Sequence, residues 1–453
     1  MLREKKAVRR LSKVLLLPIC AFAGGACATA LTGGANGRAA RGDTPYAAVE
    51  QLGRVLVDVE NEYVDPVDRA RLVDGAIKGM VAELDPHSSY MAPDEFRAFE
   101  SDTEGEFGGI GIEVESRNEQ LVVLAPIEGS PADRAGIKSG DVIVSVDGKD
   151  PSAEPLDKLV KRLRGAPGSH VKVGVRRGGA PDLLTFELTR ELVHVPSVSS
   201  RLLANGVAYV RVKQFQEHTH DELIDAAARV RARAGGKLTG ILFDLRSDPG
   251  GLVDQAADVA DEFLDAGVIY TTRHRGQIVD EVKARPGGAF AREPCVILVN
   301  QYTASASELV AGALQDQKRA TVVGEPTFGK GSVQAIIALP GGAGMRLTVA
   351  RYYTPNGRAI QADGVHPDVA VEMPKDEGGI SYREKDLDGH LSRESAGSTP
   401  APKNVVVVAG DAGATAVEAT GVEARNVPED PEKGTDAMLK VGWEVLAKAM
   451  SHR

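Results

Sequence analysis

Apolar and polar positions follow three different patterns along the chain. Residues 45–100 place apolar side chains at every third or fourth position, which predicts two amphipathic helices closed by a turn near 85–87. From Phe107 the pattern changes to short apolar runs separated by glycines, which predicts strands. Residues 200–373 alternate fully apolar runs with helical segments, which is typical of a parallel α/β core.

The first thirty residues have the pattern of a targeting segment. Six basic side chains within 1–13 precede an apolar run that extends from Val14 to about Ala30, and Ala28–Ala30 is a candidate cleavage site. This order predicts a secretory signal. The alternatives are a lipoprotein leader ending at Cys27 and an uncleaved membrane anchor, although Pro18 interrupts the run. We therefore expect export to the periplasm or cell envelope, with inner-membrane contact only if this segment is retained.

Charge and composition narrow the class of protein. The formal net charge of −10 argues against a general nucleic-acid binder, because phosphates require a basic face. Aromatic residues make up only 4% of the chain, so base-stacking platforms are not expected either. Three cysteines cannot form a disulfide scaffold, and Cys295, the only one outside the leader, lies in an apolar run.

Changes in composition divide the chain into six predicted segments. They are a leader (1–30), a linker (31–44), an N-terminal helical region (45–104), a compact glycine-rich unit (105–190), an α/β core (191–375) on which part of 45–104 packs, and polar C-terminal loops with an amphipathic helix (376–453). That helix places Leu439, Trp443 and Leu446 on one face, so it is a candidate interface.

One glycine-rich segment is similar to a phosphate-binding loop. Gly324–Gly331 has four residues between two glycines, and Lys330 follows the second glycine. However, Gly331 stands where such loops carry the Ser or Thr that holds magnesium. An apolar, strand-like run follows instead of a helix, so no helix N-terminus faces a phosphate. These departures exclude a nucleotide-dependent enzyme.

Two serines lie where a buried strand meets an apolar helix. Ser305 and Ser307 follow the strand at 296–300, and a serine at such a turn faces the positive end of the helix. Ser305-x-x-Glu308 equally fits a capping box with a purely structural role. Lys330, which lies between glycines and apolar residues, is a candidate base if burial lowers its pKa from about 10.4.

A second loop follows another buried strand. Residues 244–251 end in Pro-Gly-Gly, and glycines allow backbone N–H groups to approach a ligand closely. Such a loop suits an oxyanion hole. An ordinary turn at the end of a strand explains the same residues equally well.

Taken together, these segments resemble the carboxyl-terminal processing peptidases, also called tail-specific serine proteases. The resemblance covers roughly residues 45–390 and runs in order through several segments, namely 84–90, 105–111, 130–140, 244–251, 304–308, 327–334 and 357–361. It implies an α/β multidomain protein with a ClpP/crotonase-like α/β protease core, an inserted PDZ domain and an N-terminal helical region.

The resemblance implies a Ser–Lys catalytic pair that uses neither a metal nor a cofactor. Ser305 lies 25 residues before Lys330, which is the family's spacing and selects Ser305 over Ser307. By the same resemblance, Gln334 positions the lysine and Asp316 is a secondary member of the catalytic set.

The resemblance also assigns the oxyanion hole. It implies the N–H group of Ala306 and a second N–H group from Gly250 or Gly251. This chain departs from the family at Asp248, where the family carries Asn. The departure adds a potential negative charge near the site.

The PDZ resemblance implies that a substrate tail binds as an added strand. Its carboxylate is expected at the loop formed by Gly108, Gly109, Ile110, Gly111 and Ile112. Ile110, Ile112 and Leu159 would form an apolar pocket, and Arg164 is a candidate link between the PDZ domain and the active site.

These implications predict an exported serine endopeptidase that binds free, apolar C-termini of proteins or peptides. The alternative is a catalytically idle PDZ scaffold that binds envelope proteins. An adaptor lipoprotein and a homo-oligomer are further partners that the resemblance leaves open, whereas a nucleic-acid partner is not expected.

Overall fold

The computed structural model describes residues 45–117, 120–151, 154–178, 183–372, 382–394, 404–407, 431 and 435–451. The predicted leader and linker, and most of the predicted C-terminal loops, lie outside the described residues. The chain divides into two compact units, Met1–Ile77 and Lys78–Arg453. Among the described residues, no helix is both long enough and apolar enough to cross a bilayer.

The predicted helical region is present in the N-terminal part of the chain. Helix α1 spans Pro45–Glu62, and α2 spans Arg69–Ala82, so that α2 begins in the first unit and ends in the second. The Arg69 guanidinium binds the Glu60 carboxylate at 2.7 Å, which joins the start of α2 to the end of α1.

A seven-stranded, mostly parallel sheet forms the core of the second unit. Its order is β19-β18-β15-β14-β11-β10-β9, and only β9 runs antiparallel to its neighbour. Every residue of β11 and β14 is buried, as expected for parallel strands covered on both faces. The strands are β9 (Val198–Leu202), β10 (Val207–Val212), β11 (Gly240–Asp244), β14 (Cys295–Val299), β15 (Ala320–Gly324), β18 (Val369–Glu372) and β19 (Asn404–Val407).

Helices cover both faces of this sheet, and alternate residues of β14 show how. Ile297 and Val299 belong to one apolar cluster, and Val296 and Leu298 belong to another on the opposite face. The first cluster includes three helices, α6 (Thr219–Arg233), α7 (Val253–Asp261) and α8 (Ala306–Asp316). Helix α9 (Ala437–Ser451) supplies Leu439, Trp443 and Leu446 to the second cluster.

The prediction that the last helix forms an interface is wrong. Trp443 is only 4% exposed, because its face of α9 packs on Leu242 and Leu298 of the sheet. Gly442 allows this close approach, since a Cβ there would lie 2.5 Å from Leu298 Cδ2. The amphipathic face therefore completes the core of this chain.

Truncation of the Trp443 side chain should destabilise the core. Because the ring is buried against the sheet, Trp443→Ala is expected to lower the free energy of unfolding by about 3–5 kcal/mol in urea titrations followed by circular dichroism. The control is Glu444→Ala on the exposed face of the same helix. Equal stability of the two variants would contradict the packing role of Trp443.

A second sheet lies beside the first and carries further residues of the site. Its order is β1-β17-β12-β13, and β16 also pairs with β17. Strand β1 follows the turn at 85–88, and α3 (Pro93–Glu104) follows β1. The strands are β1 (Ser89–Met91), β12 (Val268–His274), β13 (Gln277–Lys283), β16 (Ser332–Ala338) and β17 (Gly344–Tyr353).

The glycine-rich unit forms a five-stranded antiparallel sheet with two helices. Its order is β3-β4-β5-β6-β7, so β3 is an edge strand. Strands β2 (Glu106–Gly109) and β8 (Glu191–His194), which lie at the two ends of this unit in the sequence, pair with each other. The other elements are β3 (Ile112–Arg117), β4 (Gln120–Pro126), α4 (Pro131–Arg134), β5 (Val142–Val146), α5 (Leu156–Leu163), β6 (His170–Arg176) and β7 (Leu184–Thr189).

Candidate active site

Two loops meet at the carboxyl edge of the parallel sheet. One follows β11 and the other follows its neighbour β14, and ligand sites in open α/β sheets form at this edge. The Thr303 hydroxyl donates to the Leu245 carbonyl at 2.8 Å, and the Ala304 N–H donates to the Asp248 carbonyl at 2.9 Å. These bonds hold the segment with the two serines against the loop that ends in Pro-Gly-Gly.

Ser305 has a strained backbone conformation immediately before α8. Its φ of 58° and ψ of −118° are unfavourable for a residue with a Cβ, and such strain is concentrated at functional sites. The Glu308 N–H binds the Ser305 carbonyl, and the Ser305 side chain forms no cap hydrogen bond. Ser305 is 7% exposed and lies immediately before the first residue of the helix.

Ser307 has a different environment one half-turn further along the chain. It is 0% exposed, and its hydroxyl donates to the Asp248 carbonyl at 3.2 Å. Ser307 therefore joins two loops in the interior.

Glu308 links the Ser305 segment to the Lys330 segment. Its Oε2 accepts the Ser305 N–H at 2.7 Å and the Lys330 N–H at 2.8 Å. Its Oε1 accepts the Gly329 N–H at 2.7 Å and the Thr327 hydroxyl. Burial raises the pKa of Glu308 to about 7, although these four donors act in the opposite direction. A single carboxylate thus fixes the backbone of Ser305 and that of Lys330 around one oxygen atom.

Lys330 is a lysine whose environment disfavours its charged form. Burial lowers its pKa to about 8, and the Arg346 guanidinium acts in the same direction. Glu384, Glu308 and Asp85 act in the opposite direction but do not offset this effect. Among the described residues, no carboxylate forms an ion pair with the Lys330 ammonium. The neutral, basic form of Lys330 is therefore accessible near neutral pH.

Tyr352, on β17, bridges the same two segments. Its hydroxyl donates to the Lys330 carbonyl and lies within hydrogen-bond reach of the Ser305 side chain. Burial raises the pKa of Tyr352 well above its ordinary value, so the hydroxyl stays protonated. Tyr352 can therefore orient the Ser305 side chain without exchanging a proton.

The structure places the two auxiliary residues away from direct contact with the serine. Gln334, on β16, donates to the Ser332 hydroxyl at 2.9 Å and to the Thr348 hydroxyl at 3.3 Å. Asp316 lies at the far end of α8, roughly 15 Å along the helix from Ser305, and pairs with Arg358. Asp316 thus holds a turn, because it also accepts the Asn356 N–H at 3.0 Å.

The N–H groups of the three expected oxyanion residues differ in whether they already donate a hydrogen bond. Gly250 donates its N–H to Asp248 Oδ1 at 2.8 Å. Among the described residues, no hydrogen bond uses the N–H group of Ala306 or that of Gly251. Gly250 nevertheless lies against the serine, since a Cβ there would be 2.8 Å from the Ser305 Cβ. Ala306 and Gly251 are therefore the donors that remain available.

A groove of about 190 Å³ lies beside edge strand β3 in the glycine-rich unit. Within the described part of the chain, the N–H groups of Ile110 and Gly111 donate to no acceptor, while their carbonyls bind Ala132 and Ile127. The groove is otherwise mostly apolar, lined by Phe107, Ile110, Gly111, Ile112, Glu113, Val114, Ile127, Val160, Leu163, Arg164 and Val195.

The two glycines before this groove allow close backbone packing. A Cβ on Gly108 would lie 2.2 Å from the Gly165 carbonyl oxygen, whereas the Gly108 carbonyl accepts the Gly165 N–H at 2.9 Å. Gly109 is less restricted, since its Cβ would lie 2.7 Å from the Phe107 ring, a side chain. Both glycines belong to β2, which pairs with β8, so they support the groove from one end.

The structure corrects one expectation about this groove. Leu159 packs in the core of the glycine-rich unit, and its neighbours Val160 and Leu163 line the groove instead. The Arg164 guanidinium stacks 4.6 Å from the centre of the Phe107 ring, and its role as a link to the active site stays a prediction. A larger cleft, of about 560 Å³, lies between this unit and β8–β9 and contains none of the expected site residues.

Comparisons with known proteins show the family to which the chain belongs. The model of peptidase family S41 matches residues 206–371, that of a PDZ domain matches 122–177, and that of the activating protease CtpB N-terminal domain matches 34–95. A carboxy-terminal-processing protease of Bartonella bacilliformis is 40% identical over 352 residues, which cover 76% of this chain and 81% of the relative. The chain belongs to the carboxy-terminal processing proteases. It is a serine-type peptidase with a PDZ domain, and the expected fold class is confirmed.

Two further carboxy-terminal processing proteases are similar to this chain. The carboxy-terminal processing protease CtpA of Bacillus subtilis is 34% identical over 338 residues, covering 74% of this chain and 71% of the relative. The solved structure of a photosystem II D1 C-terminal processing protease is 33% identical and covers 74% of this chain and 91% of that one, with a TM-score of 0.43.

The sequence of this carboxy-terminal processing protease did not identify four residues as parts of the site, namely Glu308, Tyr352, Gln361 and Glu384. The sequence pattern gives Glu308 only a capping role, and it does not distinguish Tyr352 from any tyrosine in a strand. Gln361 accepts the Gly331 N–H at 3.0 Å and donates to Glu384 at 2.7 Å, and Glu384 also binds His87 at 2.7 Å. Of these four residues, Glu308 and Gln361 lie in quoted motifs, at 304–308 and 357–361, whereas Tyr352 and Glu384 lie outside every quoted motif.

Proposed function

We propose that this protein is an exported endopeptidase that binds the free C-terminus of a protein in its PDZ groove and cleaves the chain through a Ser305–Lys330 acyl-enzyme mechanism. One observation carries the proposal: a single Glu308 oxygen binds the backbone of both residues. The lowered pKa of Lys330 supplies a base that functions near neutral pH.

The proposed reaction is acyl transfer in two steps. Neutral Lys330 accepts the proton of the Ser305 hydroxyl as the oxygen attacks a peptide carbonyl, and the ammonium then gives a proton to the leaving amine. The N–H groups of Ala306 and Gly251 bind the developing oxyanion. A water molecule, deprotonated by Lys330, releases the acyl group and regenerates Ser305. The Tyr352 oxygen, whose own proton is donated to the Lys330 carbonyl, accepts a hydrogen bond from Ser305 and holds that side chain beside the lysine segment.

The contrast between the two serines supports Ser305 as the nucleophile. Ser307 is enclosed and uses its hydroxyl to bind the Asp248 carbonyl. The Ser305 side chain is free of capping bonds and lies at the positive end of α8, which favours a developing negative charge.

The edge position of β3 supports binding of a substrate tail. An extended peptide can add to a free strand edge through backbone hydrogen bonds. The N–H groups of Ile110 and Gly111 suit the terminal carboxylate, and the apolar lining suits an apolar last side chain. The substrates would thus be proteins or peptides with free, apolar C-termini.

Export is proposed from the basic and apolar pattern of residues 1–30. The relatives are bacterial proteins, so the destination would be the periplasm or cell envelope. An adaptor lipoprotein and self-association are hypotheses that rest on the resemblance alone.

The carboxylate requirement can be tested with matched reporters. The purified protein should cleave an unfolded reporter that ends in a free apolar residue, and amidation of that terminus should lower kcat/KM by roughly 10–100-fold. This loss corresponds to the hydrogen bonds of one charged group. A reporter with a terminal Asp is the control for the apolar pocket.

The outcomes of this test separate the alternatives. If the amidated reporter is cleaved as fast as the free one, the proposed role of the PDZ groove is wrong. If the free tail binds and no reporter is cleaved, the protein is an idle PDZ scaffold.

A further inference from the structure

Asp248 carries a buried carboxyl group that is only half satisfied. It lies in the loop after β11, is 0% exposed, and accepts the Gly250 N–H on Oδ1 at 2.8 Å. Its Oδ2 is buried without a hydrogen-bond partner. An ionised carboxylate in this position would bear a large desolvation cost, because one of its oxygens is left unpaired.

The groups around Asp248 do not neutralise a negative charge. On α8 its neighbour is the Ser307 hydroxyl, and on β10 the charged neighbour is Arg211, whose guanidinium is directed to the Arg246 carbonyl at 3.5 Å. No described residue forms an ion pair with Asp248. Burial raises the pKa of Asp248 to about 8, against the smaller effects of the Gly250 N–H, Ser307 and Arg211. The carboxyl is therefore protonated at neutral pH.

Asp248 is connected to the reacting atoms through Gly250. The carboxyl binds the Gly250 N–H, and a Cβ on Gly250 would lie 2.8 Å from both the Ser305 Cβ and the Ala306 nitrogen. The Asp248 carbonyl also accepts the Ala304 N–H at 2.9 Å. Asp248 thus supports both sides of the pocket in which the oxyanion would form.

We propose that Asp248 is a positioning residue that supports peptide cleavage only in its protonated form, so that its ionisation sets an alkaline limit to the activity. The inference rests on the proposed Ser305–Lys330 chemistry. Protonated Asp248 holds the Gly250 loop and leaves the pocket uncharged. Ionised Asp248 places a full negative charge beside the oxygen that becomes negative in the tetrahedral intermediate, where electrostatic stabilisation matters most.

The two groups titrate in opposite senses with respect to activity. Lys330 must lose its proton to act as the base, and its pKa is about 8. Asp248 must keep its proton, and its pKa is also about 8. The product of the two fractions gives a narrow, bell-shaped pH profile with its maximum near that value.

The proposal is tested by the pH profile of kcat/KM for the wild type and for Asp248→Asn between pH 6 and 10. The wild-type value should fall about tenfold for each pH unit well above the maximum. The Asn variant keeps an acceptor for the Gly250 N–H and cannot ionise, so its value should rise and reach a plateau. Glu325→Gln, which removes another partly buried carboxyl of raised pKa, should retain the alkaline decline.

A stability measurement separates protonation from catalysis. In the unfolded chain, Asp248 loses its proton near pH 4, whereas the native chain keeps it to about pH 8. The contribution of Asp248 to the free energy of unfolding therefore falls as the pH rises between these values. The difference between the Tm of Asp248→Asn and the Tm of the wild type should therefore increase from pH 4 to pH 8.

The results that would overturn the proposal are distinct. A Tm difference that is constant from pH 4 to 8 would show that Asp248 is already ionised in the native protein. An alkaline decline that persists in Asp248→Asn would show that another group limits the activity. A wild type that cleaves no reporter at any pH would remove the proposed function and this inference with it.

Discussion

Ser305→Ala and Lys330→Ala are each expected to lower kcat by roughly 10⁴-fold or more, because the residues of such a pair act as a unit. Loss of Ser305 removes the oxygen that forms the acyl-enzyme. Loss of Lys330 leaves that hydroxyl without a base whose pKa lies near 8. Cleavage of the free-tail reporter, measured in single turnover, gives the ratio for each variant. Binding of the tail to Ser305→Ala should be retained, because the PDZ groove contains no part of the pair.

Ser307→Ala and Lys330→Arg are the matched controls for this pair. Ser307 donates its hydroxyl to a loop carbonyl in the interior, so its loss should reduce kcat by less than tenfold, the effect of one hydrogen bond. Arginine keeps the positive charge and cannot become neutral, so Lys330→Arg should be as inactive as Lys330→Ala. Activity of Ser305→Ala together with inactivity of Ser307→Ala would reverse the assignment of the nucleophile.

The loop with Gly250 and the turn with Ser305 were both singled out in the sequence, and the topology of the parallel sheet explains why they meet. The apolar runs at 240–244 and 295–299 become neighbouring strands, and the carboxyl ends of neighbouring parallel strands lie together. The loop with Gly250 and the turn with Ser305 therefore meet without any further information.

The sequence could not assign each side chain to one face of its helix. Leu159 and Val160 are adjacent on α5, and both are apolar, yet Leu159 enters the core and Val160 lines the groove. Trp443 shows the same limit. Its amphipathic face was visible in the sequence, but whether the sheet or another chain covers that face depends on contacts with Leu242 and Leu298, which are remote in sequence.

The polar network around Lys330 could not be predicted because it joins three distant segments, at 85–88, 330–334 and 348. Asp85 accepts the Ser88 hydroxyl at 2.8 Å and the Thr348 hydroxyl at 3.1 Å, and Thr348 also accepts from Gln334. Gln334 therefore acts on Lys330 indirectly. It binds Thr348, Thr348 binds Asp85, and the charge of Asp85 raises the pKa of Lys330.

Glu308→Gln should be among the most damaging single-atom changes in the molecule. Both carboxylate oxygens accept hydrogen bonds, and an amide would direct its NH₂ group at N–H donors. We expect the free energy of unfolding to fall by about 3–5 kcal/mol, as for the loss of one partner in a buried charged network. We also expect kcat to fall roughly 100-fold, because the backbone of Ser305 and that of Lys330 lose their common support. Urea unfolding and the free-tail reporter measure the two effects.

Glu95→Gln is the matched control for Glu308→Gln. Each glutamate is the third residue of its helix and accepts the N–H group of the residue that immediately precedes the helix. Glu95 is exposed at the start of α3 and binds the Ala92 N–H at 2.8 Å, so its replacement should cost less than about 1 kcal/mol. If both variants lost the same stability, Glu308 would be an ordinary helix cap. If Glu308→Gln were destabilised but kept wild-type kcat, the carboxylate would support the fold alone, and the alignment of Ser305 with Lys330 would have another cause.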